Sequence, residues 1–168
     1  MAGWIGFPET VDERAARTVA GGVVAMTAAA VLTDRLWLTA PLTYGFAARV
    51  LTGPRLSPLG QLATKVVVPR LGGPPRPVEG APKRLAQGIG LVLSSSAMVV
   101  GLAAGKRKAA RALLSVLLGA AGLEAFAGIC LACKAFPFLV RAGILPEAAC
   151  VECNDLSIRR RRAEPATH

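Results

Sequence analysis

Histidine is almost missing from this chain: the one present is His168. Without imidazole there is no Ser-His or Cys-His couple to activate a nucleophile and no two-histidine metal site. Aromatic residues are scarce at 5% and do not interleave with basic ones, so nothing offers a stacking platform to successive bases. The net charge of +10 is therefore read without a nucleic-acid partner. Charged residues reach only 18%, below the share of about a quarter usual in soluble domains. Phosphate loops are lacking too, since the run from Gly101 to Arg107 is one residue short and has no Ser or Thr after Lys106.

What is present is apolar sequence gathered into long blocks. Hydrophobic residues make up 53% of the 168, the mean hydropathy is +0.49, and basic loops divide the blocks. Such segregation is the pattern of helices that cross a bilayer, where about 20 residues span the hydrocarbon core. Four blocks qualify, at residues 16–33, 36–53, 85–104 and 112–133. The second contains Arg49, which is expected to snorkel toward the surface. Small residues four apart, at Gly21 and Ala25, Gly90 and Ser94, and Ser115 and Gly119, would let helices approach closely in lipid. The start of the chain, MAGWIGFPETVDER, is mildly acidic where a secretory leader would be basic, so the first block reads as an uncleaved span.

The expected architecture is all-α: an integral membrane four-helix bundle of two tandem hairpins, forming a single domain over residues 1–155. Between the hairpins the loop 54–84 holds seven of the twelve prolines, and its second half cannot be one continuous helix. Within it Leu56, Leu59, Leu62, Val66 and Val67 recur at helical spacing, which predicts an amphipathic interfacial segment over 56–71. Fifteen of the twenty Lys and Arg fall in the N-terminal arm, the long loop with Arg49 and the tail, against five in the two short turns. That bias places both termini in the cytoplasm. Trp4 and Trp37 suit interfacial belts, and residues 156–168, with arginines at 159 to 162, read as a basic disordered tail beside anionic lipid.

All four cysteines lie near the end, as Cys130-x-x-Cys133 and Cys150-x-x-Cys153. The first pair closes the fourth block. The second follows Pro146 and Glu147, a helix-start signal for a short cytoplasmic helix inside the Cys-bearing segment 134–155. Pro137 is expected to separate the span from the apolar connection after it. Three readings stay open. The spacing between pairs fits a four-thiolate zinc site, and an iron-sulfur cluster would use the same ligands. Alternatively, the pairs exchange disulfides, or the thiols are inert small hydrophobes. At the C-terminus of a span the helix dipole would oppose a Cys130 thiolate, unless the helix breaks and restarts near Ala132. Glu152 and Asp155 likewise oppose thiolate formation in the second pair.

One carboxylate, Glu124, falls at mid-depth of the fourth block. Burying it ionised in lipid costs about 2.5 to 3.5 kcal/mol. It is expected to be protonated or paired, through a hydrogen bond to Ser94, Ser95 or Ser96; the functional alternative is a proton partner for thiol chemistry or part of a small-solute path.

The segments VDERAARTVAG, SPLGQLATKVVVPRLG, APKRLAQGIGLVLS and LEAFAGICLACKAFPFLVRAGILPEAACVECND resemble a bacterial membrane family known as domain of unknown function 4395. The most specific part is Phe126, Cys130 and Cys133, followed by Pro146, Glu147, Cys150, Cys153 and Asn154. The resemblance implies a small multi-pass protein of the bacterial cell membrane, often encoded near thioredoxin-like and rhodanese-like proteins. It implies no activity. Ala132 stands where the family often has Gly. The function expected is thiol redox or sulfur transfer with a soluble thioredoxin-like or sulfurtransferase partner, Cys130 and Cys133 exchanging and Cys150 and Cys153 relaying. A metal-clamped scaffold and a small-solute transporter are the alternatives.

Overall fold

The computed structural model describes residues 10–74 and 76–143. A short strand β1 (Thr10–Asp12) leads into helix α1 (Glu13–Thr33), with Asp12 as its N-cap: the side chain accepts from the Arg14 N–H at 2.8 Å. Asp34 ends α1 in the left-handed conformation. A tight turn over Leu36–Leu38 then feeds α2 (Thr39–Thr52), which stops at Gly53. Ser57 caps α3, residues 58–71, by accepting from the Gly60 N–H at 3.2 Å, and Pro58 occupies the first turn, where a missing N–H costs nothing. Strand β2 (Pro77–Glu79) runs directly into α4 (Gly80–Ala103), a short turn leads to α5 (Arg107–Ala127), and α6 (Leu131–Arg141) follows.

The amphipathic segment expected over 56–71 is a helix that starts at Pro58 and passes through Pro69. A wide π-turn over Ala63–Val67 precedes that proline, and the Val68 N–H reaches the Ala63 carbonyl five residues back. The expectation of a purely helical chain is corrected: β1 and β2 pair antiparallel, Val11 opposite Val78, and tie the start of α1 to the start of α4. Arg14 reinforces the tie by donating to the carbonyls of Gly72, Gly73 and Pro74. Three-residue strands inside Pro-rich sequence leave no alternating pattern to read.

Helices α1, α2, α4 and α5 pack around one core, in which Val23, Leu42, Phe46, Leu114 and Leu117 are buried. Three of them, α1, α4 and α5, with 21, 24 and 21 residues, are long and apolar enough to cross a membrane. At a rise of 1.5 Å per residue they reach about 31 Å or more, against a hydrocarbon core of roughly 30 Å. The fourth, α2, has 14 residues. Outward-facing positions such as Leu32, Val92 and Val116 are apolar and exposed, while Thr27, Thr39, Ser57 and Ser94 are buried. That distribution suits a bilayer better than water.

Two expectations about packing are corrected. Of the three small-residue pairs, Gly90 and Ser94 are buried, whereas Ala25, Ser115 and Gly119 face outward. Gly90 is the close contact between α4 and α2, since a Cβ there would lie 2.2 Å from the Phe46 ring. Arg49 does not snorkel. It is only 4% exposed, its Nε donates to Gln87 Oε1 at 2.7 Å and its Nη1 to Ser57 Oγ at 3.0 Å, and its guanidinium lies over Phe46. Inward hydrogen bonds on both sides hold it where a lone arginine would reach for water.

At the end of the bundle away from β1 and β2, Asp34 accepts from Arg107 at 2.7 Å and lies 3.1 Å from Arg111. The Arg107 hydrogen bond holds the Asp34 carboxyl below its ordinary range, and both positive charges add to the effect. This negative charge also compensates the basic first turn of α5, where the helix dipole would repel cations.

Candidate dithiol site

The last turn of α5 widens into a π-turn over Leu123–Ala127, then Gly128 takes a left-handed conformation with φ 69°. Its N–H donates to the Glu124 carbonyl at 3.2 Å, and the Ile129 N–H to the Leu123 carbonyl at 3.1 Å. A positive φ after the last helical residue is the usual way to close off unpaired carbonyls, and glycine adopts it without steric cost. Arg17 of α1 completes the cap, donating to Ala125 O at 3.1 and 3.2 Å and to Phe126 O at 3.0 Å. The chain therefore leaves α5 before it reaches the cysteines.

The placement of Cys130 and Cys133 at the end of a continuous span over 112–133 is thus corrected. Helix α6 starts afresh at Leu131, and the Lys134 N–H donates to the Cys130 carbonyl at 3.2 Å. That bond makes Cys130 the N-cap of α6, with Cys133 in its first turn. The dithiol meets the positive end of a helix dipole, the polarity that favours a thiolate. Pro137 sits inside α6 instead of before it and has no N–H to offer the Cys133 carbonyl.

Both cysteines are free thiols; Cys130 is 8% exposed and Cys133 partly buried. The Cys133 thiol donates to the Cys130 sulfur, and this hydrogen bond, helped by the Lys83 charge, draws the Cys130 thiol down to about 6 against opposing burial and the Glu124 charge. The same bond, with burial, pushes Cys133 well up. The shared hydrogen bond thus favours the thiolate on Cys130 and the thiol on Cys133.

Beside the pair lies an ion pair that sequence inspection missed. Glu124 bonds Lys83 at the start of α4, and Lys83 is only 7% exposed. The expected bond from Glu124 to Ser94, Ser95 or Ser96 is corrected: Ser94 and Ser95 instead donate to carbonyls of their own helix, at Leu91 and Val92. A full opposite charge compensates a buried carboxylate far better than a hydroxyl does. Lys83 carries no motif of its own; its place in a PKR triplet that opens an apolar block is the one available signal. Arg17, inside the first apolar block, has still less.

The structure thus brings Cys130, Cys133 and Glu124 together. Cys150, Cys153 and the short helix expected after Pro146 lie outside the described residues, as does the tail with its four arginines. Among the described residues no group of three or more His, Cys, Asp or Glu side chains is placed to hold a metal ion.

Helical packing, three membrane-length helices and a Cys-x-x-Cys at a helix start define a small helical protein of membrane type. The chain belongs to the family described as Domain of unknown function (DUF4395), whose model matches residues 11–141 and so includes Cys130 and Cys133. No curated protein and no solved structure matches it.

Proposed function

We propose that the protein is a four-span membrane protein that exchanges dithiol for disulfide at Cys130 and Cys133, working with a soluble thioredoxin-like or sulfurtransferase partner. The observation that carries this reading is the restart of the helix at Leu131, which sets Cys130 at a helix N-terminus beside a thiol donor. A stabilised Cys130 thiolate is a good leaving group, and it favours the reduced form of the pair. The disulfide form is accordingly an oxidant. A partner thiolate attacks the more accessible Cys133 sulfur of the disulfide and displaces the Cys130 thiolate. The partner's second thiolate then attacks the partner sulfur of the mixed disulfide and releases Cys133, which takes up a proton. Two electrons move from the partner dithiol to the Cys130–Cys133 pair, and the partner leaves as a disulfide. The stabilisation of the reduced form is present at neutral pH and is lost as the pH falls through about 6.

The test is a redox titration in glutathione buffers of the full chain carrying Cys150→Ser and Cys153→Ser. Mass shifts after alkylation report the state of the remaining pair. The expected result is a single two-electron transition, with a midpoint above that of a thioredoxin-type pair near −270 mV. Two thiols that stay alkylatable in every buffer would end the proposal.

A further inference from the structure

A cleft of about 220 Å³ lies among α1, α4 and α5 and is lined by Cys130 and Glu124 together with Gln87, Ile89, Val116 and Ala120. Its walls are otherwise mostly alanine, valine, leucine and glycine. Ile89 and Val116 are 44% and 61% exposed on the outward apolar surface, so the cleft meets that surface between α4 and α5. A ligand from within a bilayer can reach it sideways. A polar oxidant from water would lose its hydration against these walls without replacement hydrogen bonds.

We propose that this cleft receives the ring of a membrane-soluble quinone-class compound, which takes two electrons from the Cys130–Cys133 dithiol. The proposal rests on the dithiol reading above and supplies its missing half. Exchange with a soluble partner only relocates electrons, and a pair that oxidises its partner turns over only when something reoxidises it. The volume favours this class, since pockets for whole drug-sized molecules run to roughly 300 to 1,000 Å³. A single ring fits a smaller cleft and leaves its apolar tail in lipid. In the reaction an S–S bond forms between Cys130 and Cys133. The two electrons pass to the ring, one proton comes from the Cys133 thiol and the second from water, and both protons end on the ring oxygens, so quinone leaves as quinol. The Glu124 carboxylate, paired with Lys83, lines the same cleft as Cys130, and in this proposal it relays the Cys133 proton to the ring.

The experiment uses the full chain with Cys150→Ser and Cys153→Ser, reduced, freed of reductant and held without oxygen in lipid nanodiscs. A short-tailed ubiquinone analogue is added, and quinone absorbance is followed together with the alkylation mass shift. About one quinol per chain is expected, with loss of both alkylatable thiols. Ala120→Phe, which fills the cleft, should slow the reaction about tenfold while oxidation by diamide stays unchanged. Val116→Trp, on the exposed rim where folding is least disturbed, should slow it in the same sense. If diamide forms the disulfide but the quinone does not, the cleft is no quinone site and the dithiol reading stands. If both variants match the parent, the quinone reacts elsewhere and the assignment of the cleft is overturned. If neither oxidant closes the disulfide, the dithiol reading falls and this inference with it.

Discussion

Cys130 owes its chemistry to three neighbours of different kinds: a thiol one turn on, an ammonium from α4 and the free N–H groups at the start of α6. Only its thiolate is a nucleophile, so alkylation of Cys130 by iodoacetamide should rise with pH, pass half-maximum near 6 and level off above neutrality. Cys133→Ala removes the donor, and the midpoint should move up toward the ordinary thiol value of about 8.5; an unmoved curve would show that the hydrogen bond is irrelevant. Lys83 and Glu124 make a second prediction at this scale. Lys83→Met leaves a buried carboxylate without its cation, which should cost about 3 to 5 kcal/mol in thermal or denaturant unfolding in detergent. The double variant Lys83→Met with Glu124→Leu should recover most of that loss, because it removes both charges and leaves none stranded. The pair residues were each visible in the sequence as charges in apolar surroundings. Their partnership was not, since 41 residues separate them and no spacing rule joins one helix start to another helix end.

The ends of the elements carry the organisation. Helix α5 stops at Ala127 because Gly128 turns left-handed and Arg17 takes the last carbonyls. Gly128→Ala should cost about 1 to 2 kcal/mol for forcing a Cβ into the left-handed region. It should also slow Cys130 alkylation at pH 7, because the straighter exit would move the sulfur toward the wrong end of a helix. Arg17→Met removes donors to two carbonyls and should cost about 1 to 3 kcal/mol in the same unfolding assay. Unchanged stability and reactivity in both variants would mean that the break is set locally by the sequence after Ala127. The apolar blocks were legible because composition changes sharply at their edges: 16–33 lies within the observed α1, and 85–104 passes the end of α4 by one residue. The block 112–133 ran too far. ICLACKAF is as apolar as the span before it, and a lone glycine inside an apolar run does not announce a stop.

For the whole molecule, the outward apolar surface and the buried polar residues call for lipid around the bundle. The protein should stay with the membrane fraction after an alkaline carbonate wash and require detergent for extraction; release into the aqueous phase would contradict the proposed four-span arrangement. The amino-acid order alone determined the approximate limits of the first and third apolar segments and the i, i+3 relation of the two thiols, because these depend on local composition and short-range geometry. Which end of a helix the thiols occupy, which cation neutralises Glu124 and where Arg49 is buried were decided by tertiary structure. Each depends on a side chain from a different helix, as far as 109 residues away in the case of Arg17 and Phe126, and only packing brings such groups within hydrogen-bonding distance.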